Sequence, residues 1–464
     1  MNRLPLAALL SALLLVVAGC SAPVVNPPED TADSGAWPAD PPSDRLGWEG
    51  GYWHNESIAV DQSDGLNATE REAFVARTMA RVEVIRELEF TEPVPVEVIS
   101  RAEYRNESRN QSNLVHADWN DQVWEALLLV GENRTIQQVF DELYGGSVLG
   151  YYAPQEDQIV LISNDGNPTI NRRTLAHELL HALQDQHFGL DAAPPTQDKQ
   201  LANNGLVEGD ARYVDSLYEE RCAADWECVP RPDGSGAGSG SFDYPVFLTI
   251  YTPYSEGPTF VSDLHERGGW EAVNAAYENR PVSTEQVLHP STYPDERPVE
   301  VTIEDRSSAA WTRYDHDPVG DTVGEASIFT TFWKHAAIDR EKLRDDPGAY
   351  STYNYTAGPA AGWAGDLVVP YRPASDAEAD ANPHARGYVW KTVWDTNTDA
   401  RQFESAYLTR TLKLRLGAKQ VAENTYVIED GTFADAYRVT RQGDTVTIVN
   451  APTVEELDEV HARE

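Results

Sequence analysis

The chain of 464 residues sets 76 acidic side chains against 36 basic ones, a formal net charge of −40. No basic patch interrupts that excess, so nucleic acid is excluded as a partner, because phosphate binding needs one. Hydrophobic residues at 41%, with 12 Trp and 21 Tyr, exclude wholesale disorder.

Residues 1–19 read as a signal peptide. Asn2 and Arg3 precede the apolar run Leu4 to Ala18, and Val17-Ala18-Gly19-Cys20 resembles a lipobox. Cleavage before Cys20 would leave a lipidated N-terminus that anchors the chain to a membrane without a spanning helix. The alternative, a retained transmembrane helix, is disfavoured because ~15 apolar residues are short for a bilayer. Residues 20–48 hold Pro23, Pro27, Pro28, Pro38, Pro41 and Pro42 among Asp, Ser and Ala, the composition of an extended tether. Six of the 36 basic residues are Lys. So acidic a surface repels itself at low salt and stays hydrated when ions screen it, a pattern that resembles haloarchaeal proteins. The expected place is therefore the extracellular face of the membrane in salty surroundings. Cys222 and Cys228 are expected to form a disulfide there, since two thiolates alone make a poor structural zinc site. Sequons at Asn55, Asn67, Asn106, Asn110, Asn133 and Asn354 fit export.

Helical spacing runs from Thr69 to Phe90, and Pro93 to Ile99 alternates as a strand. A helix is expected over Thr135 to Tyr144, ending at Gly145-Gly146. Val148 to Tyr152 and Gln158 to Ile162 read as a hairpin around Ala-Pro-Gln-Glu-Asp. A further helix holds Thr174 to Gln184. Asp233 to Phe242 is a glycine-serine joint or loop, and 243–290 read as mainly helical. Residues 300–464 mix helices near 323–345 and 401–415 with strands at Thr425 to Ile428 and Thr445 to Val449.

Within the Thr174 helix stands His177-Glu178-Leu179-Leu180-His181. Residues four apart share a helix face, so both imidazoles point at one spot suited to Zn²⁺, and Glu178 can reach a water there as a base. A catalytic zinc takes a third protein ligand, and two residues compete. Glu208, 27 residues after His181, would stand at the start of a following helix, the gluzincin arrangement. His187 lies ten residues after His177, the metzincin spacing, but position 184 is Gln where that motif needs Gly. On a continuing helix His187 lies about 80° round from His177. The metzincin Met turn is also missing, because Met1 and Met79 are the only methionines. Glu208 is preferred. The expected fold is accordingly α+β, with a zincin-like core over 49–300 and a C-terminal α+β region over 301–464. That core would comprise an upper lobe with a small mixed sheet and the motif helix, above a mainly helical lower part.

The runs Leu175 to Phe188 and Leu206-Val207-Glu208-Gly209-Asp210-Ala211 resemble a group of poorly characterised gluzincin-like surface proteins of bacteria and haloarchaea. The resemblance extends through Gly268-Gly269-Trp270, Pro281 to Pro290 and Gly362-Trp363-Ala364-Gly365-Asp366, covering most of 70–410. It implies a zinc-peptidase-like core on His177, His181 and Glu208. Arg212 stands where the thermolysin-like pattern has Asp, so His177 must be oriented by another group: Asp210, Asp215 or a backbone carbonyl.

On this reading one catalytic zinc and the base Glu178 hydrolyse a peptide or protein substrate. Oxyanion donors would come from His289, Tyr293 or Tyr152, with Asp210 supporting the ligands, while Gln184, Asp185 and Gln186 cap or bridge the helix end. Two alternatives stand beside it: a noncatalytic zincin-fold surface protein with a structural or vestigial metal site, and a solute-binding lipoprotein. The second lacks paired doubly wound lobes.

Overall fold

The computed structural model describes residues 40–104, 117–163, 169–191, 193–232, 242–376, 379, 382 and 384–463. The expected signal segment, Cys20, most of the tether, the sequons at Asn106 and Asn110 and nearly all of the glycine-serine stretch lie outside these residues. The fold is mixed α+β. Two compact units share the chain: 1–109, 144–191 and 214–240 form one, and 110–143, 192–213 and 241–464 the other. Among the described residues no helix is long and apolar enough to cross a membrane.

In the first unit, α1 (Ala68–Arg86) opens with a capping box, in which Asn67 and Glu70 each accept the other's backbone N–H. It stops at Arg86, short of the expected Phe90, because Glu87 turns left-handed and Phe90 N–H donates to the Glu83 carboxylate at 2.8 Å. Strands β1 (Val96–Ser100), β2 (Gly150–Ala153) and β3 (Gln158–Ser163) form a three-stranded sheet, with β3 central, parallel to β1 and antiparallel to β2. The expected hairpin is thus present. Helix α2 (Arg172–Phe188) follows and packs on α1 and on β2. Asn171 caps it by accepting the Arg173 N–H.

Helix α3 (Gln197–Ala224) is longer than expected, so Glu208 stands mid-helix and not at its start. The Cys222–Cys228 disulfide closes its C-terminal end.

In the second unit, α3 meets α4 (Tyr244–Glu278) backbone to backbone. A Cβ added at Gly209 would lie 2.4 Å from the Gly257 carbonyl carbon, and one at Gly257 would lie 2.3 Å from Gly205 O. Only glycine permits that approach. Helix α5 (Gly324–Lys334) packs against α4, and the Asp366 carboxylate accepts the Gly324 N–H and both the Trp363 and Trp390 indole N–H groups. The run that ends in Asp366 therefore has a capping role.

Seven strands make the large sheet: β4 (Trp311–Arg313), β5 (Trp363–Pro373), β6 (Gly387–Trp394), β7 (Lys419–Ala422), β8 (Thr425–Val427), β9 (Ala436–Gln442) and β10 (Thr445–Ala451). Their order is β4-β5-β6-β10-β9-β8-β7, and every neighbouring pair is antiparallel. Val369, Val389 and Val449 face one another across three strands, as do Val368, Trp390 and Ile448 one residue along. All six are buried, so the sheet's centre is covered on both faces.

Candidate metal centre

The motif sits in the middle of α2, and His177, Glu178 and His181 are all buried. The Nε2 atoms of His177 and His181 stand 3.2 Å apart, with the rings perpendicular. Each ring is held by its other nitrogen. His177 Nδ1 lies 3.3 Å from Asp215 Oδ2, and His181 Nδ1 lies 2.8 Å from Gln184 Oε1. Both partners are acceptors, so each Nδ1 carries the proton and each Nε2 brings a lone pair to the same place. Two lone pairs this close call for an electrophile between them. Asp215, fully buried, also accepts from the Arg173 guanidinium at 2.7 Å. Arg173 and His177 are four apart on α2, so one carboxylate engages two successive turns.

Glu208 is 2% exposed, and Tyr254 on α4 donates its hydroxyl to Glu208 Oε1 at 2.8 Å. Gly209, beside it, allows the close helix crossing that puts Tyr254 within reach. One ligand atom from each of His177, His181 and Glu208 lies within 4.8 Å of the other two. Two neutral imidazoles and one carboxylate are the donor set of a hydrolytic zinc site. The residues fit the ion.

The remaining expected residues have other partners. His187 is exposed, and its Nε2 meets Glu89 O at 2.8 Å. Asp210, expected near the ligands, accepts the Tyr277 hydroxyl at 2.9 Å, and orientation of His177 falls to Asp215. Tyr152 donates to Asp185 Oδ2 at 3.0 Å, and burial, with the Asp185 carboxylate beside it, raises its hydroxyl pKa. Tyr293 donates to Asn279 O at 2.6 Å. His289 Nε2 lies 3.1 Å from Glu325 Oε2, and that hydrogen bond raises the imidazole pKa. Gln184 holds His181, while Asp185 and Gln186 do bridge the helix end: Asp185 accepts the Leu190 N–H and Gln186 the Thr91 N–H.

Tyr254 escaped the sequence reading. No regular spacing ties position 254 to position 208; the only trace is the small-residue pair Gly205 and Gly209, which signals a close helix crossing without naming the partner.

A family described as a domain of unknown function (DUF8575) matches residues 312–461, which span the large sheet and leave the His177 group outside. No curated protein and no solved structure matches the chain.

Proposed function

We propose that the chain is a zinc-dependent peptidase of the gluzincin type, held at the extracellular face of a membrane through lipid on Cys20. The convergence of one ligand atom each from His177, His181 and Glu208 within 4.8 Å carries this reading. When bound, Zn²⁺ supplies Lewis acidity that polarises a carbonyl and makes water a readier nucleophile. Glu178, adjacent to the first ligand, takes the proton from the attacking water and returns it to the leaving amine. Asp215 and Gln184 fix the two imidazole tautomers so that both Nε2 lone pairs stay available. Tyr254 restrains the Glu208 carboxylate through its hydrogen bond. The zincin-like core expected over 49–300 belongs to this same proposal.

Metal content of the purified chain and hydrolysis of a mixed peptide pool test it together. Wild type is expected to hold one zinc per chain and His181→Ala none, while Glu178→Gln keeps zinc and loses about 10²–10⁴-fold in hydrolysis rate. Absence of zinc from wild type, or unchanged hydrolysis by a zinc-loaded Glu178→Gln protein, would overturn the assignment.

A further inference from the structure

A second group of carboxylates converges in the second unit. One oxygen each from Glu125, Glu132 and Asp435 lies within 4.8 Å of the others. Glu125 is the penultimate residue of the helix Ala117–Ala126, Glu132 follows in a turn where its N–H donates to Thr432 O, and Asp435 directly precedes β9. Glu125 and Asp435 are each 3% exposed. Two amides sit against them: Gln122 Nε2 donates to Glu125 Oε2 at 2.6 Å, and Asn450 Nδ2 donates to Asp435 Oδ2 at 2.9 Å.

What these contacts leave over points to a ligand. Glu125 Oε1, Gln122 Oε1 and Asn450 Oδ1 are buried with no hydrogen-bond donor, on side chains no more than 3% exposed. The basic groups nearby are poorly placed to answer them. His384 Nδ1 stands 3.7 Å from Glu132 and is largely exposed, and the Arg386 guanidinium is paired with Asp118 at 2.9 Å. Among the described residues no Lys or Arg forms an ion pair with Glu125 or Asp435.

Carboxylates this close and this dry cannot all stay ionised without a positive species among them. A proton or a cation could serve. A proton shared between Glu125 and Asp435 satisfies one pair of oxygens and leaves the Gln122 and Asn450 oxygens unanswered. A hard cation takes carboxylate and amide oxygens alike. We propose that Glu125, Glu132 and Asp435, with the amide oxygens of Gln122 and Asn450, bind one hard divalent cation of the calcium type. The donor set is all oxygen, without the nitrogen or sulfur that selects zinc, and five side chains suit an ion that accepts six to eight ligands. Such an ion ties residues 122–132 to the large sheet at 435 and 450. This site is independent of the His177 centre and of the peptidase reading.

Thermal melting of the EDTA-treated full chain in about 1 M KCl, which screens loose binding to the acidic surface, tests the proposal. Millimolar CaCl₂ is expected to raise Tm by about 5 °C or more, with one Ca²⁺ retained per chain on dialysis. Asp435→Asn abolishes the shift. Glu132→Gln, at a side chain 22% exposed and therefore safe for folding, at least halves it. His181→Ala leaves it intact. A wild-type Tm indifferent to calcium overturns the proposal, as does a full response in Glu132→Gln. An Asp435→Asn protein that melts higher than wild type at neutral pH in EDTA, with no calcium response in either, identifies a shared proton instead and overturns it too.

Discussion

The His177 centre and the Glu125 cluster both gather buried acidic or basic groups, yet they are wired in opposite ways. In the first, every donor is backed by a partner that fixes it: Asp215 behind His177, Gln184 behind His181 and Tyr254 behind Glu208. In the second, the supporting amides leave their own oxygens buried and unanswered. A backed donor has its geometry set before an ion arrives, whereas carboxylates facing one another depend on a charge between them to keep their geometry. The first pattern suits a reaction that tolerates little misplacement, and the second suits a clamp that holds the fold.

The largest effect that separates the two comes from Asp215→Asn. Losing the carboxylate behind His177 should weaken zinc about 10–100-fold, read by competition with a chelator, while the calcium shift in Tm stays as in wild type. Equal damage to both would erase the distinction. Gly209→Ala comes next, since its Cβ would lie 2.4 Å from Gly257 backbone. It should destabilise the chain by about 1–3 kcal/mol and lower zinc occupancy by displacing Glu208; an unchanged melting profile would show that the helix crossing does not set that ligand. The smallest effect concerns Asp321, buried beside Asp366 and Asp198 and pushed up to about 8 by burial. A carboxyl whose folded pKa is raised holds its proton in the native state. Stability is therefore highest below the unfolded value of 3.8 and falls as pH rises to about 8. Asn cannot ionise, so the Tm of Asp321→Asn minus that of wild type should grow by about 2–4 °C between pH 5 and 8. A flat difference would mean that burying the Asp321 carboxyl costs this fold nothing.

The motif helix was legible because its signal is local: His177 and His181 are one turn apart, and backbone geometry alone places them together. Glu208 was singled out through its neighbourhood, but its place in mid-helix was not legible. Asn203, Asn204, Gly205 and Gly209 are weak helix formers, and α3 passes through them because contact with α4 overrides propensity. The strands β5 and β6 went unread for a different reason. Val368 and Val369, and Val389 and Trp390, are buried on both faces, so no alternation of polar and apolar residues marks them, and Pro370 breaks the expected strand pattern just beyond the register shared with β4. Asp215 lay among the named candidates, but choosing it over Asp210 needed coordinates: the two are five residues apart on α3 and their carboxylates meet different partners.

The carboxylate that joins Arg173 and His177 also carries a consequence for descent. Because Asp215 serves a cation on one turn and an imidazole on the next, none of the three positions can drift alone without disturbing the other two. On the zinc reading proposed above, relatives that bind the ion should keep Arg173, His177 and Asp215 as a set, and lineages without that chemistry should lose all three together. The set would mark which descendants still work.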